Sequence, residues 1–210
     1  MTPYDWRMGR TYAEIDDRIA EFILSQPVFF VASAPLSGDG LVNCSPKSNN
    51  GELIVLDPGR VAYLDRTGSG VETIAHLREN GRIVLMFCAF GETPRIVRIH
   101  GRGSVVVKDE GAFAGLAARF ETDQLEGARS VIVVGAERVS DSCGYGVPRM
   151  SFESHRPLMA EFAASKGDDG IRRYWAEHNV SSLDGLPGID GASQPGVGRE
   201  GAGMQGVGPA

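Results

Sequence analysis

Three features of the 210-residue sequence predict a mainly β (α+β) chain folded as a small antiparallel barrel with flanking helices. Short apolar runs, some alternating with polar residues, recur along the middle of the chain, as strands do. Turn signals rich in Gly, Pro and Asp join neighbouring runs as hairpins, which makes them antiparallel. Helical patterns occur as isolated insertions, not as regular crossovers, which argues against a Rossmann arrangement; six or seven strands favour a barrel.

The elements follow in order. In AEIDDRIAEFILSQ (13–26), Ile15, Ile19, Phe22 and Ile23 recur at helical spacing, and Pro27 ends the segment. VFFVASA is a buried strand, hairpin-linked through SGDG to LVNCSP; ELIVLD and RVAYLD form a second hairpin about Pro58 and Gly59. DRTGSGVETIAHLREN (65–80) opens with glycines around Ser69, which pairs with Glu72 as a capping box at a helix start. The same free N–H groups and helix dipole attract anions, but no GK[ST] follows, so this is not a P-loop. RIVLMFCAF and PRIVRIHGRGSVVV return to strand, with Arg98 and His100 on one face and Arg95 on the other. EGAFAGLAARF is a short helix and RSVIVVGAERVSDS the closing strand. Residues 155–179 are helical again, broken at 167–170.

The expected organisation is an N-terminal helical segment (1–26), a barrel core (27–153), a helical extension (154–186) and a Gly-rich tail (187–210). With almost no apolar bulk, the tail cannot offset its ordering entropy and is expected to be disordered.

Composition narrows the function. Hydrophobic residues make up 42% of the chain, enough for a core. With 21 basic and 27 acidic side chains the net charge is −6, which argues against nucleic-acid partners and anionic membranes. No apolar run approaches the ~20 residues of a membrane span, and the N-terminus is too polar and acidic for a signal peptide. Cys44, Cys88 and Cys143 form no CxxC pair and read as reduced thiols in a cytoplasm; the four histidines lack zinc spacing, so no metal is expected.

Candidate chemistry gathers at a few places. Lys47, at a strand end in NCSPKSNN, either neutralises a phosphate or is an ordinary exposed lysine; Arg66, Thr67 and Ser69 in the next hairpin favour the first reading. Arg95, Arg98 and His100 either contact a ligand or occupy a wet strand face. Gly144 and Gly146 around Tyr145 suggest a loop that places an aromatic ring. Cys143 lacks an identifiable base and reads as an ordinary thiol, while Tyr174 and Trp175 read as core or subunit-contact residues.

Together, LVNCSPK, YLDRTGSGVETIAHLRENGRI, LMFCAF and PRIVRIHGRG resemble the pyridoxamine 5'-phosphate oxidase-like family, the FMN-binding split barrels, in a divergent bacterial branch. The resemblance covers roughly residues 27–139. It implies a six-stranded antiparallel split barrel, a homodimer with FMN at the subunit interface, and a small-molecule substrate. Lys47 and the 66–72 region (Arg66, Thr67, Gly68, Ser69) would hold the phosphate. Asn43, Ser45 and Pro46 would run beside the isoalloxazine, and Arg95 or Arg98 would approach from the neighbouring strand.

The chain departs from the true oxidases. Val42 stands where an arginine precedes the lysine by five residues, Val71 and Glu72 replace a basic pair, and Ile96 replaces a glutamine. Each lost charge-assisted contact costs ~1.5–3 kcal/mol, leaving micromolar FMN binding as the expectation. The expected function is therefore an FMN-dependent oxidoreductase that is not a pyridoxamine 5'-phosphate oxidase, with His100 and Tyr145 as substrate contacts. Alternatives are a deazaflavin-dependent reductase, a non-catalytic module for flavin, haem or tetrapyrrole, and a structural dimer with an empty groove.

Overall fold

The structure, a computed structural model, describes residues 9–122 and 125–189. Its strands are β1 (Thr11–Tyr12), β2 (Val28–Ser33), β3 (Asn43–Ser48), β4 (Leu53–Asp57), β5 (Arg60–Arg66), β6 (Arg82–Cys88), β7 (Ile96–Val107) and β8 (Ala128–Ser142). Helices are α1 (Asp17–Ser25), α2 (Glu72–Asn80), α3 (Gly111–Ala117) and α4 (Leu158–His178).

The strands form one antiparallel sheet in the order β3-β2-β6-β7-β8-β5-β4, with β1 added alongside β8. Twist curls this sheet into a split barrel. Lys47 on the outermost strand β3 reaches Asp65 on β5, near the opposite end of the strand order, with Nζ 2.8 Å from Oδ1. Two ends of a flat sheet could not meet. The eight strands exceed the six that the resemblance implied. Two-residue β1 is too short to show alternation, and both hairpin strands β4 and β5 join the sheet.

The pleat explains which residues fill the interior. Phe29 and Val31 of β2, Leu85 and Phe87 of β6, Val97 and Ile99 of β7, and Tyr63 of β5 point inward with Ile19 and Ile23 of α1. Phe29 stacks on Phe87 and meets Tyr63 edge-on, each pair with centroids 5.5 Å apart. Full burial of each such side chain contributes roughly 1.5–3 kcal/mol. The other face of β5, through Ala62 and Leu64, packs with Phe113, Ala117 and Phe120 at α3, so β5 is covered on both sides. At the β7 bulge between His100 and Gly101, a Cβ on Gly101 would strike the Gly135 carbonyl, so that crossing needs glycine.

Several local expectations are corrected. The first helix begins at Asp17 and not at residue 13, because the Asp16 side chain accepts from the Ile19 N–H at 2.8 Å and caps it there. The Ser69–Glu72 capping box does not form. Val71, buried and without a side-chain cap bond, precedes α2, so Glu72 is its first residue. The break predicted in the last helix is present at Gly167, whose φ of 61° and ψ of 174° interrupt α4. The tail expected to be disordered lies almost wholly outside the described residues. Among the described residues, no helix is long and apolar enough to cross a membrane.

Candidate functional site

Strand β3 pairs Lys47 with Phe29, whose ring is in the core, so Asn43, Ser45 and Lys47 face inward at the open edge of the barrel. Their neighbours Cys44, Pro46 and Ser48 are exposed on the outer face. On β5, Asp65 shares the inward face of Val61 and Tyr63 and is fully buried. A buried carboxylate needs compensating charge, and the curled sheet supplies it twice. Lys47 Nζ lies 2.8 Å from Asp65 Oδ1, and Arg129 Nε lies 2.7 Å from Oδ2, which also accepts from Ser130 Oγ at 3.3 Å. Burial pushes the Asp65 carboxyl up, but Arg129 and Lys47 outweigh it and hold the group far below the usual carboxylate range.

These groups border a cavity of about 290 Å³ whose lining comprises Asn43, Ser45, Lys47, Arg66, Gly68, Ser69, Gly70, Glu72, Thr73 and Arg129. Within the Lys47–Asp65–Arg129 cluster charge is unbalanced, although Glu72 brings a further carboxylate to the same lining. Lys47 and Arg129 share one carboxylate, leaving an excess of one positive charge, while Arg66 is neutralised by Glu52 with Nε to Oε1 at 2.5 Å. Glu72, at the N-terminus of α2, accepts from the Leu183 N–H at 3.3 Å, and its second oxygen lies against Gly70.

A polar chain runs behind β3. Ser45 Oγ donates to Asn43 Oδ1 at 2.9 Å; Asn43 Nδ2 donates to Thr73 Oγ1 at 3.0 Å and Ser33 Oγ at 3.3 Å; Ser33 Oγ meets His76 Nδ1 at 3.0 Å. Burial lowers the His76 pKa against the pull of Asp184, Glu72 and Glu79, so the ring is a neutral hydrogen-bonding post. The Thr67–Gly70 loop is held from below, where Thr67 Oγ1 donates to the Gly127 carbonyl at 2.8 Å and accepts from Trp175 Nε1 at 2.8 Å.

Of the residues singled out from sequence, Asn43, Ser45, Lys47, Arg66, Gly68 and Ser69 line this one cavity. Thr67 is buried beneath it, and Pro46 faces the opposite side of β3. Arg95 is at the barrel rim, paired with Asp141 at 3.3 Å and stacked over Phe22, and Arg98 bonds Ser142 Oγ at 3.0 Å on the outer sheet face. The structure does not bring either arginine to the corner. His100 lies on that outer face too, its pKa lowered by burial and by Arg138 and Arg98, and Tyr145 is in an exposed loop. Sequence reasoning misses Arg129 and Asn179, whereas Trp175, read there as a core or subunit-contact residue, is in the core. The one signal was a cation at the head of an apolar strand, RSVIVV, where burial demands a partner.

The chain is similar to several known proteins. The family model described as pyridoxamine 5'-phosphate oxidase matches residues 15–143. The pyridoxamine 5'-phosphate oxidase family protein ustO of Aspergillus flavus is 41% identical over 195 residues, covering 86% of this chain and 78% of its own. The crystal structure of HupZ from Group A Streptococcus is 18% identical and covers 65% of this chain and 99% of its own, with a TM-score of 0.46. That of an FMN-binding protein from Syntrophomonas wolfei is 15% identical and covers 60% of this chain and 88% of its own, also at 0.46.

Proposed function

The chain belongs to the pyridoxamine 5'-phosphate oxidase family, and from that premise we propose that it is an FMN-dependent oxidoreductase acting on a small molecule. The observation that carries this reading is the excess positive charge of the Lys47–Asp65–Arg129 cluster. Two cations on one buried carboxylate, beside a helix N-terminus and a Gly-Ser-Gly loop, suit a phosphate. Lys47 and Arg129 would hold the phosphate, Ser69 would add a hydroxyl, and Asn43 and Ser45 would continue along β3 toward the ring. When bound, FMN supplies hydride transfer, so no side chain is required as nucleophile. The protein's own work is to bind and orient.

The substrate we propose is not pyridoxamine 5'-phosphate. Val42 is exposed, Val71 is sealed in the core and Glu72 is acidic, so the extra cations of the true oxidases are missing at those positions. A homodimer is part of the proposal. Register aligns Pro46, Phe30, Met86 and Arg98 across four strands of the outer face, a largely apolar row suited to a second copy. The three free thiols, with Cys44 exposed, fit a reducing cytoplasm.

Titration with FMN tests the reading. Wild-type protein should shift the visible flavin band and quench flavin fluorescence, and Lys47→Ala should weaken binding about ten- to a hundredfold. Binding unaffected by that substitution would remove Lys47, and with it the phosphate corner, from the site.

A further inference from the structure

Behind the cavity, the end of α4 and the chain that follows it grip the parts of the corner that the flavin reading uses. Trp175 and Asn179 are 6% and 0% exposed. Trp175 Nε1 donates to Thr67 Oγ1 at 2.8 Å; Asn179 Nδ2 donates to the Gly68 carbonyl at 3.0 Å while its Oδ1 accepts from an Arg129 Nη at 2.9 Å. Neither side chain is among those lining the cavity, so both act through groups that are.

The chain beyond Asn179 folds back over the same place. The Ile189 N–H donates to the Asn179 carbonyl at 2.7 Å, and Gly188 N–H to that of Val180 at 2.9 Å. Arg78 on α2 donates to the Gly188 carbonyl, and Leu183 N–H to Glu72. Gly188 sits so close to Val71 and the Asn179 carbonyl that a Cβ has no room.

The Asn179 amide does two tasks at once with separate atoms, Nδ2 donating to a carbonyl and Oδ1 accepting from a guanidinium. A loop carrying Gly68 and Gly70 has little stiffness of its own, and ordering it at the moment of ligand binding would cost affinity. A pre-set loop and a pre-aimed Arg129 avoid that cost.

We propose that Asn179, assisted by Trp175, is a positioning residue for cofactor binding. It fixes the Gly68–Gly70 loop and Arg129 relative to each other, and so couples binding of the flavin phosphate to docking of residues 179–189 on α2. This rests on the flavin reading above. By linkage, whatever the docked segment contributes to phosphate affinity, phosphate binding returns to the docked segment.

Riboflavin, which lacks the phosphate, separates positioning from general structure. In paired titrations, Asn179→Ala should weaken FMN binding about tenfold or more and leave riboflavin binding unchanged. Asn179→Asp, which adds a carboxylate beside Arg129, should weaken FMN further, and Trp175→Phe should cost about threefold. In wild-type protein, hydrogen exchange within 179–189 should slow several-fold with FMN and not with riboflavin. Equal loss of both ligands, unchanged FMN affinity in Asn179→Ala, or no FMN-specific protection would each overturn the inference while leaving the flavin site intact. Wild-type protein that binds FMN no more tightly than riboflavin would instead remove the phosphate-corner reading, and the inference with it.

Discussion

Two arginine–carboxylate clusters in this molecule look alike in sequence and differ in physics. At the rim, Arg95 pairs with Asp141 at 3.3 Å, and Tyr12 donates to the same carboxylate at 2.5 Å while Arg95 lies 4.8 Å above the Phe22 ring. One cation meets one anion, and both are partly exposed, with side chains 27% and 18% accessible. Burial and the Asp141 hydrogen bond raise the Tyr12 pKa, so its hydroxyl stays protonated and ties β1 to β8. In the corner, Arg129 and Lys47 divide one fully buried Asp65. The rim is balanced and joins elements; the Lys47–Asp65–Arg129 cluster has one cation more than its carboxylate balances, beside a cavity that Glu72 also lines. In the proposed reading, charge left over within a cluster, and not the presence of an arginine, distinguishes a binding site from a fastening.

Breaking the ion pairing in each cluster should break this contrast most strongly. Asp65→Asn leaves a buried Arg129 and a half-buried Lys47 facing a neutral amide and should cost about 3–5 kcal/mol in urea unfolding. Arg95→Met at the partly exposed rim should cost no more than ~1 kcal/mol. The pH dependence carries the same signature. The folded-state pKa of Asp65 is depressed, so its contribution is fully present above the unfolded value of ~3.9 and is lost as pH falls below it. Asp65→Asn should therefore flatten the acid limb of the stability profile.

Ligand affinity should separate the clusters next. Arg95→Met should leave FMN binding within about twofold of wild type, against the ten- to hundredfold loss expected for Lys47→Ala. A large loss at Arg95 would show that a partner subunit or a moved rim brings it to the flavin. A smaller effect of opposite sign is expected at Glu72, whose carboxylate faces the same loop as an incoming anion. Glu72→Gln should tighten FMN binding about two- to fivefold, despite the favourable placement of an acid in a first helical turn. Least of all, Tyr63→Phe should change stability by less than ~0.5 kcal/mol or raise it, because the buried Tyr63 hydroxyl has no hydrogen-bond partner among the described residues.

What was legible in the sequence follows from the range of the interactions. Strand alternation and hairpin turns are local, so β2 through β8 were readable, and so was the break at Gly167. Asn43, Ser45, Lys47, Arg66, Gly68 and Ser69 were grouped because short motifs carry them, and they share the cavity. Arg129 and Asn179 lie 64 and 114 positions from Asp65, too far for spacing to signal anything. The resemblance implies that Arg95 or Arg98 approaches the flavin, and alternation does not test this, since it says which face a side chain takes, not which end of a curled sheet it occupies. The Ser69 cap failed for a related reason. Trp175 and Asn179, more than a hundred positions away, bond the loop at Thr67 and Gly68, and local capping preference carries no sign of them.

By itself, the sequence determined the strands and the antiparallel pairing of the hairpins, since each depends on residues within one hairpin or one pleat period. Only tertiary structure decided that β3 and β5 meet, that Arg129 joins Lys47 on Asp65, and that Asn179 steadies both Arg129 and the loop. Those contacts depend on how far the sheet curls and where the chain after α4 returns, which are summed over the whole barrel and written in no single stretch of it.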